Sequence, residues 1–181
     1  MYDLFVLGEL MSEDKHGYIL QERLQYAVGP TRKISPGTLY PLLSRFVESG
    51  WITLQFEEKK EGGRSRKLYG LTEHGRERFQ ELMVNPVEHN TDTELTFQFQ
   101  ITYFQYVTKD VQLMCLDQYL GYLHNNLKYV NSLSEMIAKK KINEKQLFQV
   151  LRMLDHRKHV LLADVGWVTE EIERIKTTKE L

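Results

Sequence analysis

The chain has 181 residues, yet it contains one cysteine, four prolines and no long apolar run. The single cysteine, Cys115, excludes an internal disulfide and favours a reducing compartment. A membrane-spanning helix needs about 18 or more consecutive apolar residues, and no segment of the sequence provides them. The opening residues, MYDLFVLGELMSED, lack the basic segment of a signal peptide. We therefore expect a cytoplasmic protein that does not insert into a membrane.

An excess of charge of either sign is also missing. The chain has 24 Lys and Arg against 25 Asp and Glu, a formal net charge of −1. Residues 1–85 hold 12 basic and 12 acidic side chains, and residues 86–181 hold 12 and 13. A nucleic-acid surface would therefore have to be a local patch. The segment FEEKKEGGRSRKLYGLT, residues 56–72, contains such a patch around Gly62 and Gly63.

Motifs for catalysis and cofactor binding are lacking too. We find no nucleophile elbow, phosphate-binding loop or zinc-protease motif, so the sequence predicts neither an enzyme nor a cofactor. His156 and His159 lie three residues apart in a predicted helix, but without a nearby carboxylate or a second histidine pair they predict a solvated face and no metal site. Cys115 is predicted to be a packed thiol.

The pattern of apolar residues predicts a mainly α fold with a small β-hairpin. Residues 1–85 are typical of three helices, two strands and a further helix, which is the order of a winged helix-turn-helix domain. The segment VNPVEHNTDT, residues 84–93, is poor in apolar residues and predicts the domain boundary. A helical dimerisation domain is expected over residues 91–181.

The predicted recognition helix lies in ISPGTLYPLLSRFVESGW, residues 34–51. Ser35 followed by Pro36 indicates a helix start, but Pro41 would then lie inside the helix. If Thr38 were the N-cap, Pro41 would fall in the first turn, and we favour that version. The predicted DNA-facing residues are Ser35, Gly37, Thr38, Tyr40, Ser44 and Arg45, whose hydroxyl, phenol and guanidinium groups can reach base edges and phosphates.

The basic segment is predicted to form the wing, the tip of a hairpin that follows the DNA backbone. Its glycines permit a tight turn and a close approach to phosphate. The expected contacts are Lys59, Lys60, Gly63, Arg64, Arg66 and Lys67. A basic turn is also common on ordinary surfaces, and the alternative function is a protein-interaction module without specific DNA binding. We favour a double-stranded, palindromic operator as the partner, because the patch follows a helix-turn-helix pattern.

The second half shows a heptad pattern on two long helices. From Leu113 the apolar spacing is 3, 4, 3, 4 and 3 up to Val130, and a similar pattern runs from Leu147 to Ile175 with Lys158 as its polar position. Two such helices cannot hide all their apolar surface, which favours a homodimer. The predicted dimerisation residues are Leu116, Leu120, Leu123, Leu127, Leu154, Leu161 and Val165.

The segment LTFQFQITYF, residues 95–104, is ambiguous. Its strict alternation indicates a strand, whereas Thr91 and Glu94 form a capping box that indicates a helix. Its aromatic residues suggest a pocket for a small planar effector, although such clusters more often form core. The predicted effector residues are Tyr18, Phe97, Phe99, Tyr103 and Trp167.

Several motifs together resemble the PadR family of transcriptional regulators. The resemblance rests on HGYILQERL, SPGTLYPLLSRFVESGWI and EGGRSRKLYGLTEHGRE, and more weakly on the two closing helices with Trp167. The longer C-terminal half is similar to the subgroup that contains the phenolic-acid decarboxylase repressor. The resemblance implies a dimeric repressor that a small, often aromatic ligand releases from DNA. It also favours a helix over residues 95–104.

Overall fold

The computed structural model describes residues 1–30, 32–57, 66–86, 88–140 and 143–178, without the side chains of residues 56, 57 and 66. Within these ranges the elements are α1 (Tyr2–Leu10), β1 (Lys15–His16), α2 (Gly17–Val28), α3 (Pro36–Glu48), β2 (Ile52–Glu57), β3 (Arg66–Leu71), α4 (Glu73–Val84), α5 (Thr93–Thr102), a 3₁₀ turn (Phe104–Tyr106), α6 (Lys109–Ala138) and α7 (Glu144–Thr177). The predicted class, mainly α with a small sheet in a winged helix-turn-helix order, is confirmed.

The chain forms two compact units, Met1–Val111 and Gln112–Leu181. The division falls later than the boundary predicted at residues 84–93, because α5 packs with the first unit. The ring of Phe99 lies 5.2 Å from that of Phe5 in α1, measured between centroids. The hydroxyl of Tyr103 lies 3.2 Å from the carbonyl oxygen of Phe5. The aromatic residues after the linker therefore complete the core of the N-terminal unit.

The sheet of the first unit has three antiparallel strands in the order β1-β3-β2. The predicted hairpin is present, with Ile52 opposite Leu71 and Leu54 opposite Tyr69. The additional strand β1 places Lys15 opposite Tyr69 on the other edge of β3. Two residues are too short to show an alternating pattern, so β1 could not be predicted from the sequence.

The core of the first unit gathers the apolar stripes that the helical spacing predicted. The fully buried side chains, each at most 2% exposed, include Leu4, Leu7, Leu10, Leu20, Leu24, Leu39, Leu43, Phe46, Phe79 and Met83. Helix α1 also buries Phe5 and Val6 at 2% and 0% exposure. A helix that is apolar on all sides needs neighbours on all sides. α1 accordingly packs against α2, α4, α5 and β3.

The start of α3 differs from the favoured prediction. Ser35 is the N-cap and Pro36 the first helical residue, so the version with Thr38 as cap is wrong. The amide of Thr38 instead donates to the carbonyl of Ser35 at 2.9 Å and closes the first turn. Pro41 lies inside the helix on its exposed side. The helix forms despite Pro41 because its opposite side buries Leu39, Leu43 and Phe46.

The ambiguous segment is helical, since α5 spans Thr93–Thr102. The helix prediction is confirmed, but the expected capping box is wrong because Asp92, not Thr91, is the N-cap. Thr93 closes the preceding turn: its hydroxyl accepts from the amide of Asn90 at 2.9 Å and lies 2.6 Å from the carbonyl of Glu88. The alternation is explained by burial, because Phe97 and Phe99 both pack inward from a helix.

The second unit consists of residues 112–178 of α6 and α7 and their connection, as far as the structure describes them. The heptad residues Leu116, Leu123, Leu154 and Val168 are fully buried, and on α6 Cys115 and Tyr119 are buried beside them. Lys158, the polar position of the second pattern, is exposed. None of the helices in the described ranges has the length and apolar character required to span a bilayer.

The start of α4 joins the sheet to the helices through Thr72. As predicted, Thr72 caps the helix: its hydroxyl accepts from the amide of Gly75 at 2.9 Å. The same hydroxyl lies 2.7 Å from the carbonyl of Gly50. Helix α4 starts so close to the backbone of Trp51 that a Cβ at Gly75 would lie 2.0 Å from the Trp51 carbonyl oxygen. Only glycine fits there without moving backbone.

We predict that Gly75→Ala destabilises the first unit by about 1–3 kcal/mol or more, because the added methyl meets a carbonyl oxygen that cannot rotate away. Urea unfolding followed by circular dichroism measures the change. The matched control is Gly37→Ala, also near a helix start. Its Cβ would meet only the Ser35 hydroxyl at an ordinary 3.5 Å, so stability should be unchanged or slightly higher. Equal stability of both variants would contradict the close approach.

Candidate nucleic-acid interface

The turn between α2 and α3 receives three hydrogen bonds from one side chain, Gln25. Its Nε2 donates to the carbonyls of Gly29 and Arg32 at 3.1 and 2.9 Å. Its Oε1 accepts from the amide of Ile34 at 2.9 Å. Ile34 is itself 7% exposed and anchors the turn in the core. These contacts fix the direction in which α3 leaves the turn.

Helix α3 presents a polar outer face opposite its buried stripe. Ser35, Gly37, Thr38, Ser44 and Arg45 are exposed, as predicted. The Ser35 and Thr38 hydroxyls lie 3.2 Å apart at the start of the helix. The surface consists of small groups that leave the helix free to approach a groove closely.

Tyr40 differs from the other predicted contacts because it is half-buried. A Cβ added at Gly17, the first residue of α2, would lie 3.0 Å from Cε1 of Tyr40 and 3.2 Å from Cε2 of Tyr69. The Tyr40 ring therefore packs across the start of α2. Its phenol can contact a ligand only at its outer edge, while the ring helps to orient α3.

Arg45 is already engaged within the chain. Its Nη2 lies 3.0 and 3.1 Å from the two carboxylate oxygens of Asp3 in α1. Its guanidinium also lies 5.6 Å from the centre of the Phe46 ring. Asp3 already neutralises the charge of Arg45. The guanidinium would therefore have to release the Asp3 carboxylate before it could bind a phosphate in its place. No sequence pattern indicates this pair, whose members lie 42 residues apart.

The body of the wing is the β2–β3 hairpin, in which Phe56 pairs with Lys67 and Glu57 with Arg66. Lys67 is exposed at its edge. The other predicted wing contacts, Lys59, Lys60, Gly63 and Arg64, lie outside the described residues, as does the side chain of Arg66. The structure thus places the strands that carry the basic segment beside the helix-turn-helix elements of the same unit.

Two residues that no sequence pattern indicated lie at the base of the wing. Lys15 is 4% exposed, and its Nζ donates to Ser12 Oγ at 2.9 Å and to Glu13 Oε1 at 3.3 Å. His16 Nδ1 lies 3.3 Å from the carbonyl oxygen of Lys67. Lys15 thus serves the fold, and His16 ties β1 to the wing. A longer β pattern would have been needed to find either residue.

The predicted effector residues lie in different environments. Tyr18 is 49% exposed and stacks on His16, with ring centroids 5.5 Å apart. Phe97, Phe99 and Tyr103 are buried in the first unit, and Trp167 is 43% exposed on α7.

Tyr103 illustrates how the buried rings are held. Its ring lies 6.2 Å from that of Phe79, and its hydroxyl lies 3.2 Å from Glu9 Oε1. Burial, assisted by the Glu9 charge, raises the pKa of Tyr103 far above its ordinary value, so the phenol stays neutral. These contacts place Tyr103 in the core, while its role toward an effector stays a prediction.

The predicted dimerisation residues fall into two groups. Leu116, Leu123 and Leu154 are fully buried within the single chain. Leu120, Leu127, Leu161 and Val165 are half-buried. Their role in a dimer is not tested by the single chain and stays a prediction.

The two weaker candidates identified in the sequence have simple environments. His159 of α7 is exposed, and its Nδ1 lies 2.8 Å from the carbonyl oxygen of Asp155. No group of three or more potential metal ligands occurs among the described residues. Cys115 is buried, and burial raises its pKa to about 12, so its thiol is neutral at physiological pH.

A helix-turn-helix followed by a β-hairpin defines the first unit as a winged-helix domain. Residues 6–81 match the model of the transcriptional regulator PadR-like family. The resemblance to this family that was seen in the sequence is confirmed over this segment. No curated protein matches the chain.

Several solved structures are similar to the chain. Bacillus subtilis PadR in complex with operator DNA is 16% identical, with 96% of this chain and 98% of that chain covered at a TM-score of 0.44. The same protein in complex with p-coumaric acid is 16% identical, with 97% and 96% covered at 0.42. A PadR-like transcription factor from Bacteroides fragilis is 28% identical, with 45% and 76% covered at 0.41.

Replacing Gln25 should loosen the turn before α3. In Gln25→Leu two carbonyls and one amide lose their partner, and at about 1 kcal/mol per hydrogen bond we expect a loss of about 2–3 kcal/mol. Gln25→Glu keeps the acceptor for Ile34 but places a carboxylate oxygen against the two carbonyl oxygens, so its loss should be at least as large. Thermal unfolding of both variants measures the effect. Gln105→Glu, an exposed glutamine in the 3₁₀ turn, is the control and should leave stability unchanged.

Proposed function

We propose that this protein is a sequence-specific DNA-binding repressor that acts as a homodimer and responds to a small ligand. The observation that supports the proposal most directly is the outer face of α3. Its small polar side chains stand on a helix whose direction is fixed by Gln25, next to a hairpin whose tip is rich in lysine and arginine. A helix with such a face fits the major groove, and basic residues on a wing fit the phosphate backbone.

The match to PadR-like transcriptional regulators over residues 6–81 supports the same class of function. Bacillus subtilis PadR has been solved with operator DNA and with p-coumaric acid, but its similarity to this chain is too low to transfer either ligand. An aromatic effector of this chain therefore stays a prediction, based on the aromatic residues of α5 and on Trp167.

A protein-interaction module is the alternative. Docking surfaces for proteins concentrate aromatic and other large apolar groups in their centre. The outer face of α3 instead offers hydroxyls, a glycine and an arginine already paired with Asp3. Its composition favours nucleic acid over a protein partner.

Assembly into a homodimer is supported by apolar side chains exposed on the second unit. They are Tyr129 and Met136 of α6 and Phe148, Met153, Val160, Leu162 and Trp167 of α7, each between 42% and 62% exposed. Apolar groups that recur along two long helices are typical of an interaction surface. A second copy of the chain would bring the same surface and place two recognition helices on one operator.

The DNA-binding proposal predicts different effects for helix and wing variants. The full-length protein is first used to select duplexes from a random pool. Thr38→Ala and Ser44→Ala should then weaken binding to the selected duplex more than to random DNA, because they remove contacts to bases. Lys67→Ala should weaken binding to the selected duplex and to random DNA alike. It should also reduce the slope of the logarithm of the binding constant against the logarithm of the salt concentration by about 1, because it removes a phosphate contact. Fluorescence anisotropy at several salt concentrations measures these effects.

Lys145→Ala is the matched control, since Lys145 is an exposed lysine at the start of α7. It should change neither affinity nor slope. Failure of the wild-type protein to enrich any sequence would contradict specific DNA binding. Capture of a protein partner through α3 in the same conditions would favour the alternative.

The dimer proposal predicts that charge on the exposed apolar surface separates the subunits. Phe148→Glu combined with Leu162→Glu places two carboxylates where the partner should be, at a cost of several kcal/mol in a buried interface. Both side chains are exposed in the single chain, so the monomer should still fold. Analytical ultracentrifugation should show a monomer with an unchanged helical circular dichroism spectrum.

The control is Lys128→Glu, a charge change at an exposed position of α6 that belongs neither to the heptad pattern nor to the exposed apolar residues, and it should keep the wild-type mass. A dimer of unchanged stability in the double variant would show that these residues do not form the interface. A wild-type protein that is monomeric at all concentrations would contradict the proposal as a whole.

A further inference from the structure

The arginines of the helix-turn-helix, which consists of α2, α3 and the turn between them, are all paired within the chain. The segment carries three arginines and one lysine, Lys33. Each arginine forms an ion pair with a carboxylate from outside the segment. The pairs are Arg23–Glu9 at 2.8 Å, Arg32–Asp92 at 2.8 Å and Arg45–Asp3 at 3.0 Å. Much of the positive charge that could attract a phosphate is therefore neutralised before any DNA is bound.

Two of these pairs lie off the outer face of α3. Arg23 belongs to α2, and Arg32 lies in the turn, three residues before the N-cap of α3. Asp92, the partner of Arg32, is the N-cap of α5. It also lines a cavity of about 330 Å³ whose walls come from α1, the end of α4, the loop that follows and α5, and which extends to Gln100. Arg45 is thus the arginine that α3 itself carries.

Arg45 shares a side of α3 with a predicted DNA contact. Thr38, Pro41 and Arg45 follow at intervals of three and four residues, so they lie on the same side of the helix. All three are exposed. The Arg45 side chain is 57% exposed even within its ion pair. A duplex that contacts Thr38 would therefore lie against the side of α3 that carries Arg45.

Asp3 is held more firmly than its partner. It lies in the first turn of α1, and the next four residues, Leu4 to Leu7, are each at most 2% exposed. One carbon separates its carboxylate from the backbone, and the side chain is only 27% exposed. The side chain of Arg45 is long and has several rotatable bonds. The carboxylate is therefore a fixed anion beside α3, and the guanidinium is the group that can move.

The geometry of the pair makes Asp3 a competitor of DNA. Nη2 of Arg45 donates to both carboxylate oxygens, at 3.0 and 3.1 Å. A partly exposed pair of this kind contributes little to stability. A phosphate would have to displace the carboxylate, which would then repel the phosphate. Both effects weaken binding to every duplex, because phosphate contacts carry no sequence information.

We propose that Asp3 is a specificity-determining residue of the DNA-binding face. Its carboxylate occupies on Arg45 the place that a DNA phosphate would take, and it thereby limits binding to DNA of any sequence. Base contacts from the hydroxyls of α3 then decide a larger share of the total affinity. The inference rests on the proposed DNA-binding function.

Fluorescence anisotropy of the full-length protein on the selected duplex and on random DNA tests the role of Asp3. At low salt, Asp3→Asn should bind both at least about threefold more tightly than the wild type, because Arg45 is released to contact a phosphate. The slope of the logarithm of the binding constant against the logarithm of the salt concentration should become steeper by about 1. Asp3→Glu keeps a carboxylate within reach of Arg45 and should bind like the wild type.

Two further variants separate the release of Arg45 from a general effect of charge. Asp3→Asn combined with Arg45→Gln should lose the steeper slope, because the released guanidinium is missing. Asp117→Asn changes the net charge by the same amount at an exposed position of α6, and it should leave affinity and slope as in the wild type. A steeper slope that persists in the double variant, or an equal gain in Asp117→Asn, would overturn the proposal.

A purely structural role of Asp3 gives the opposite sign. Loss of an acid from the first turn of α1 lowers helix stability slightly, and a loosened α1 would weaken DNA binding or leave it unchanged. Thermal unfolding shows whether Asp3→Asn is folded, and Asp3→Ser serves as a second neutral variant. Unchanged or weaker binding by the folded neutral variants, or tighter binding to the selected duplex alone, would contradict the role of Asp3.

Failure of this inference can be told apart from failure of the proposed function. If the wild-type protein binds no DNA, the proposed function fails, and the role of Asp3 fails with it. If the wild-type protein selects a duplex but the neutral variants bind no more tightly, DNA binding stands and only the role of Asp3 is refuted.

Discussion

The burial of α1 is the constraint on which the N-terminal unit depends. Leu4, Phe5, Val6 and Leu7 are all at most 2% exposed, so every side of the helix must be covered. α2, α4, α5 and β3 provide this cover. The few polar groups of α1 are then held at fixed positions, and Asp3 reaches Arg45 on α3. A change in the packing around α1 therefore alters the outer face of α3 as well as the core.

The same constraint explains why the linker and α5 belong to the first unit. Once α1 presents aromatic and aliphatic groups on every side, Phe99 and Tyr103 find an aromatic partner there in Phe5. Their packing brings Asp92 to Arg32 and places Gln100 at the end of α4. The winged helix is thus extended by a segment that connects the turn before α3 with a cavity.

Function in this unit combines rigid and exchangeable contacts. The three hydrogen bonds of Gln25 lie within one turn and change little without unfolding it. The ion pairs Asp3–Arg45 and Asp92–Arg32 are partly exposed, and such pairs contribute little to stability. They can therefore exchange their partner for another anion or cation at small cost, which is consistent with the proposed regulation of DNA binding.

The sequence by itself determined the helices, the hairpin, the heptad surfaces and the polar face of α3, because each follows from local spacing and from caps such as Thr72. It also located the basic segment between β2 and β3, since charge is visible without a fold. The tertiary structure alone decided the strand β1, the true start of α3 at Pro36, the burial of Tyr40 and the packing of α5 on α1. It also revealed Gln25, the Asp3–Arg45 pair and the cavity at Gln100. These depend on contacts between residues far apart in the chain or on single side chains, and neither leaves a periodic signal in the sequence.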